Sequence, residues 1–198
     1  MARPRMFDEE RAVDAALEAF WAAGYEATST QDLCEATGLG RSSVYNTFKS
    51  KHDLFRRALA RYMERRNAWL FELLESERPL REKVRTLLYV VVDEECGEAA
   101  DPWAAAGRGC LVVNTAVELA DRDPEIAEQL RRDYQARFTA LRAAFESARR
   151  DGDIASGRDP GALAHFVIAG VGGMRVSARA GAGRAELTAI ADTAVAAL

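Results

Sequence analysis

The segment GLGRSSVYNTFKSKHDL, residues 38–54, decides how the rest of the chain is read. Gly38 and Gly40 interrupt the chain twice within a few positions, so the stretches on either side of them must be separate elements. Upstream, TQDLCEAT places Leu33 for burial in a short helix that Thr30 is positioned to cap and Gly38 to end. Downstream, RSSVYNTF sets Val44 and Phe48 four apart, on one face of a second short helix. Two short helices around a glycine turn, the second bearing small polar side chains and trailed by cations, outline a helix-turn-helix. With Val44 and Phe48 inward, Arg41, Ser42, Ser43, Asn46 and Thr47 face outward toward a major groove. Arginine pairs with guanine edges, asparagine with adenine edges, and serine or threonine with several. Tyr45, Lys49 and Lys51 suit phosphate oxygens, which fix register without reading sequence. Thr30, opening the first of the two helices, joins this DNA-facing set, and the amides near Ser50 and Lys51 add an anion site at the start of the next helix.

Working outward, Val13, Leu17, Phe20 and Trp21 recur at helical spacing, predicting a helix over about 8–23 with Asp8 as its cap. Ser50 caps a long helix running toward Leu74, with Leu54, Phe55, Ala58, Leu59, Tyr62 and Met63 on one side and arginines on the other. The remainder is also helical. Leu80 to Val92 reads as a buried helix, and EECGEAADPWAAAGRG, 94–109, as a loop or broken helix. CLVVNTAVELA is apolar nearly all round. A long helix from Pro124 to Arg150 carries Ile126, Leu130, Tyr134, Phe138, Leu141, Phe145 and Ala148 as one stripe, and glycines 170, 172 and 173 stud a helix from about Gly161 to Arg179 before a last helix at 185–197. The fold class is therefore all-α. The expected division is a DNA-binding domain over 1–52, a linking helix over 53–75 and a larger helical domain over 76–198.

Charge supports the same division. The 198 residues carry 27 Lys+Arg against 31 Asp+Glu, a net −4, yet the interval from Arg41 to Arg66 holds eight basic residues and two acidic ones. A +6 patch in an acidic protein is the electrostatic footprint of a polyanion-binding surface, although a solvated helix face can carry the same charges. An apolar fraction of 48% is globular, and MARPRMFDEE has no apolar run behind its arginines, so the expected location is the cytoplasm, without a membrane partner. Cys34, Cys96 and Cys110, with His52 and His165, lack metal-ligand spacing, so neither a metal nor another cofactor is expected. No nucleophile elbow, metal pair or phosphate loop is present, so an enzyme is not expected either.

The run FWAAGYEATSTQDLCEATGLGRSSVYNTFKSKHDLF, residues 20–55, matches F-x-x-x-G-Y-x-x-T-S-T-x-D-L, then G-L-G, then S-V-Y-x-x-F-x-x-K-x-x-L. It resembles the DNA-binding domain of the TetR family of bacterial transcriptional regulators. Ser42 stands where glycine is frequent in that family, Cys34 where alanine is, and Thr47 where an aromatic or histidine is common. Farther on, GCLVVNTAVELADRDPEI and GVGGMRVSARAG resemble the ligand domains of one branch. The resemblance implies a three-helix DNA-binding domain, a linking fourth helix, and a helical domain that binds a small-molecule effector and forms a homodimer. It implies that the helix from Pro124 to Arg150 and the one around Phe166 to Arg175 pack against their symmetry mates. The interface candidates are Tyr134, Phe138, Leu141, Phe145, Phe166, Gly170 and Gly173. An effector pocket is expected between the fourth helix and the helices at 80–121, lined by Trp69, Leu73, Leu88, Val92, Trp103, Leu111, Asn114 and Glu118, apolar with a few polar anchors. Cys110, opening its helix beside Arg108, is in a setting that activates thiols, so a thiol-based sensor is the alternative to a reversible ligand. The expected function is a dimeric repressor on a palindromic double-stranded operator.

Overall fold

The computed structural model describes residues 3–98, 108–155 and 157–198, the side chains of 3–8 excepted. Among the described residues there are nine helices and no strand: α1 (Arg3–Ala23), α2 (Thr30–Thr37), α3 (Arg41–Phe48), α4 (Lys51–Glu75), α5 (Leu80–Glu95), α6 (Leu111–Leu119), α7 (Pro124–Asp151), α8 (Pro160–Arg179) and α9 (Arg184–Ala196). The all-α reading holds. Helix α1 starts at Arg3 rather than at an Asp8 cap, because Pro4 in its first turn needs no amide partner there. Most of the 94–109 loop, Trp103 included, lies outside the described residues.

The chain divides into two compact units, Met1–Arg66 with Asn114–Leu130, and Asn67–Val113 with Arg131–Leu198. This differs from the division expected at 52 and 75. The first half of α4 belongs with the DNA-binding elements because its inward side chains form their core. Leu54, Ala58 and Leu59 are fully buried with Ala16, Leu17 and Phe20. The end of α6 joins the same unit through Glu118, and the start of α7 through Asp123.

In the second unit, α5, α8 and α9 pack on one another around Leu88, Val91, Val92, Phe145, Ala164, Met174, Leu187 and Ala191. By length and composition α8 is apolar enough to cross a membrane, with a mean hydropathy of 1.3 over its best window. It nevertheless carries His165 and Arg175. Arg175 is buried and donates to Glu94 at 2.5 Å and to Glu95 at 2.7 Å on α5, a pairing that compensates the burial of its charge.

Candidate nucleic-acid interface

The recognition element is built from capping chemistry. Ser29, not Thr30, is the N-cap of α2: its hydroxyl accepts the Asp32 amide at 3.1 Å while the Asp32 carboxylate accepts the Ser29 amide at 2.7 Å, a reciprocal capping box. Gly38 ends the helix in the left-handed region at φ 67°, where a side chain would be strained. Helix α3 then turns Val44 and Phe48 into the core, both essentially without exposure. Arg41, Ser42, Ser43 and Asn46 are exposed and Thr47 is half-buried. All five therefore lie off the packed face, where a groove could reach them.

Tyr45 is exposed on this surface, with its hydroxyl 3.3 Å from that of Thr30 and the Arg41 guanidinium 5.9 Å from its ring centroid. The hydrogen bond with Thr30 holds the phenol below its ordinary 10.0; burial opposes this, and Arg41 reinforces it. Lys49 has the one positive φ among described non-glycine residues, 54°, and the chain closes tightly behind it through the Ser50 amide and the Phe48 carbonyl. Its side chain is exposed. Lys51 behaves differently: its ammonium lies 4.4 Å from the Tyr25 ring centroid and 3.5 Å from the Glu26 carbonyl, bracing the turn between α1 and α2.

The basic patch is smaller than its count of cations. Arg56 pairs with Glu125 at 2.7 Å, Arg57 with Glu9 and with Asp53 at 3.2 Å, and Arg61 and Arg65 with Asp14 at 3.2 and 3.3 Å. Four arginines of α4 are thus neutralised by acids of α1, α4 and α7. Arg41 and Lys49 add positive charge on α3 and at its end, and Lys51 adds it at the start of α4.

Comparison with known proteins agrees with this geometry. A family described as "Bacterial regulatory proteins, tetR family" matches residues 12–58, and "Tetracyclin repressor-like, C-terminal domain" matches 99–194. The chain is 33% identical to the HTH-type transcriptional repressor ComR of Escherichia coli strain K12, over 96% of this chain and 89% of that one. It is 32% identical to the HTH-type transcriptional regulator YezE of Bacillus subtilis strain 168, over 84% of each. The chain belongs to the TetR family. A cysteine mutant of the TetR family regulator CifR, solved with a 26-bp double-strand operator DNA, superposes with a TM-score of 0.82 at 29% identity over 95% of both chains. Members of the TetR family are DNA-binding transcriptional regulators, and so is this chain.

Placed on this TetR fold, the ligand-set residues separate. Leu73, Leu88 and Val92 sit inside the core of the second unit, Trp69 packs half-buried against it, and Leu111 is buried. A groove of about 530 Å³ in that unit has Phe71 of α4 and Arg132, Ala136, Thr139 and Ala143 of α7 among its lining residues. Cys110 and Asn114 are half-buried. Glu118 belongs to the DNA-binding unit, where both carboxylate oxygens accept amides, from Tyr25 at 3.1 Å and Glu26 at 2.8 Å.

Two further residues of this unit, Asp123 and His52, meet across 71 positions of sequence. Asp123 Oδ1 caps α7 by accepting the amides of Glu125 at 3.0 Å and Ile126 at 3.1 Å, while its Oδ2 lies 2.6 Å from His52 Nε2 on α4. Burial favours the neutral acid, but the Ile126 amide, the His52 contact and the Glu125 amide outweigh it and hold the carboxyl below its ordinary 3.8. A carboxyl lowered on folding stabilises the protein above its unfolded pKa and loses that contribution as pH falls through the folded one. Thermal melts of wild type and Asp123→Asn should therefore differ by a constant amount at neutral pH, in favour of wild type. That difference should shrink as the pH is taken below 3.8. A difference independent of pH would remove the ionised carboxylate from the account.

Proposed function

We propose that this chain is a repressor that binds a palindromic operator as a homodimer in the cytoplasm and is released by a small-molecule effector taken up by its second unit. The observation that carries the reading is the exposed row Arg41, Ser42, Ser43 and Asn46 on a helix whose opposite side, Val44 and Phe48, is sealed in the core. ComR is named a repressor and CifR was solved on its operator, which supports the same role here. Release requires only that the effector bind the DNA-incompetent conformation more tightly, by ~1–3 kcal/mol. The test is selection of bound duplexes from a random pool, then affinity measurement across salt. A palindrome preferred over random DNA by about 10³ or more supports the reading; equal binding of all duplexes rejects it.

The support for a dimer is a surface on α8. Phe166 is 43% exposed and Val176 54%, and a Cβ added at Gly170, Gly172 or Gly173 would meet no atom within 4 Å. An open face of small and apolar residues allows the close approach of a second helix. Tyr134 of α7, 37% exposed, and Phe138, stacked on His165 of α8 at 4.4 Å, extend this face. Leu141 and Phe145, expected at the interface, are instead buried in the core of their own unit and are excluded from the surface proposed.

Base readers and phosphate contacts separate by experiment. Arg41→Ala or Asn46→Ala should relax base preference, whereas Tyr45→Phe or Lys49→Ala should weaken all duplexes nearly uniformly. In a dimer Lys49→Ala removes two phosphate contacts, so the slope of log K against log salt should flatten by ~1.8. Lys51→Ala should change it less, because that ammonium is engaged with the Tyr25 ring and the Glu26 carbonyl.

Assembly has its own variants. Phe166→Arg and Gly173→Leu should sediment as folded monomers and lose the operator, since one short recognition helix contacts too few bases alone. Dimers persisting at working concentration would move the interface elsewhere.

A second reading, release through a thiol, is favoured by the position of Cys110, half-buried and immediately ahead of α6. CifR, the relative solved on operator DNA, was solved as a cysteine mutant. Maleimide should then release wild type and Cys34→Ser from the operator and leave Cys110→Ser bound. Identical behaviour of the three returns the trigger to a reversible ligand.

A further inference from the structure

The C-terminal end of α1 forms an anion site from backbone alone. The Gly24 amide makes the last helical bond, to the Phe20 carbonyl at 2.8 Å, and the chain then turns left-handed at Gly24, φ 87°. A right-handed residue ahead of a left-handed one aims the next amides at a common point, a concavity that receives anions. Here the amides of Tyr25 and Glu26 converge on the two oxygens of the Glu118 carboxylate, at 3.1 and 2.8 Å, from a residue 93 positions away in sequence. The Thr28 hydroxyl closes the turn by donating to the Gly24 carbonyl at 2.6 Å. The left-handed turn favours glycine at this position, and a Cβ there would stand 3.1 Å from a Glu118 oxygen, so that a side chain would press on the carboxylate.

The surroundings determine what this contact governs. Glu26 is exposed and Glu118 half-buried, so water can replace the carboxylate, and the contact is a detachable ligand rather than a buried strut. The Glu26 carbonyl faces Lys51 at the start of α4. The turn leads straight into the Ser29 cap and Thr30, whose hydroxyl meets Tyr45 of α3. Helix α6 itself is continuous across the division between the units, with Leu111–Val113 on one side and Asn114–Leu119 on the other.

We propose that Glu118 is a positioning residue for operator binding: its carboxylate is the removable ligand of the nest at Gly24–Glu26. Withdrawing it loosens the turn that orients α2 and α3, and the emptied nest accepts a small carboxylate from solution in its place. This rests on the operator-binding reading, and it names a contact that ties α6 to the turn leading into α2.

The test uses the full-length protein, as wild type, Glu118→Ala and Glu118→Gln, with equimolar sodium acetate or sodium chloride. Amide hydrogen exchange over the α1–α2 turn is the first readout and affinity for the selected duplex the second. Glu118→Ala should raise exchange at Tyr25 and Glu26 by about tenfold and weaken the duplex by about tenfold, the loss expected when hydrogen bonds to a charged group vanish. Acetate, but not chloride, should restore both. Glu118→Gln fills the space but presents an amide, and acetate should not rescue it. Unchanged exchange in Glu118→Ala, or equal rescue by chloride, overturns the proposal. If wild type prefers no duplex at all, the operator reading falls, while the exchange data still decide whether the nest is held by a carboxylate.

Discussion

Phe20 of α1 meets Phe55 of α4 edge to face, with ring centroids 4.9 Å apart, and what the DNA-binding unit presents to a groove is aimed from that contact. Tyr25 joins it at 4.8 Å from Phe55, and Trp21 repeats the arrangement with Tyr62 at 5.0 Å. Each such pair is worth ~0.5–1.5 kcal/mol beyond its buried area. The dependence arises from length. Helices α2 and α3 have eight residues each, too few to persist alone in water, so their orientation is borrowed from the surface they pack on. Leu33, Val44 and Phe48 are the anchors, each without meaningful exposure.

The electrostatics obey a related economy of contacts. Exposed ion pairs contribute little stability individually, so the pairing of Arg56, Arg57, Arg61 and Arg65 is better understood by what it removes from the surface. Sequence-independent affinity for DNA rises with every phosphate a protein neutralises. An α4 with four uncommitted arginines would hold any duplex. Matching them with Glu9, Asp14, Asp53 and Glu125 takes four cations of α4 out of that sequence-independent attraction.

Legibility in the sequence tracks the range of the interaction. Apolar periodicity locates the helices, and Val44 with Phe48 suffices to orient α3, because these signals span a few residues. The Ser29 cap is also legible, since S-T-Q-D has the capping-box spacing, but Thr30 offers the same chemistry one position later. Glu118 reads as a pocket anchor because an acid in an apolar helix looks like one; its partners lie 92 and 93 positions away, as those of His52 lie 71 away. The stripe on α7 is real but mixed. A periodic apolar face does not state which of its members meet their own core, as Leu141 and Phe145 do, and which, like Tyr134, stay exposed.

The carboxylates at Glu118 and Asp123 share a property that a packed apolar contact lacks. Each satisfies two backbone amides at once, and Asp123 holds His52 with its remaining oxygen. A small displacement of either side chain therefore does not weaken one bond in proportion to distance; it strands a pair of donors together, each of which costs free energy if left unpaired. Bidentate contacts of this kind are made or lost as a pair. Joining α1, α4, α6 and α7 of the DNA-binding unit through such contacts makes the placement of these helices depend on bonds that are held or lost in pairs.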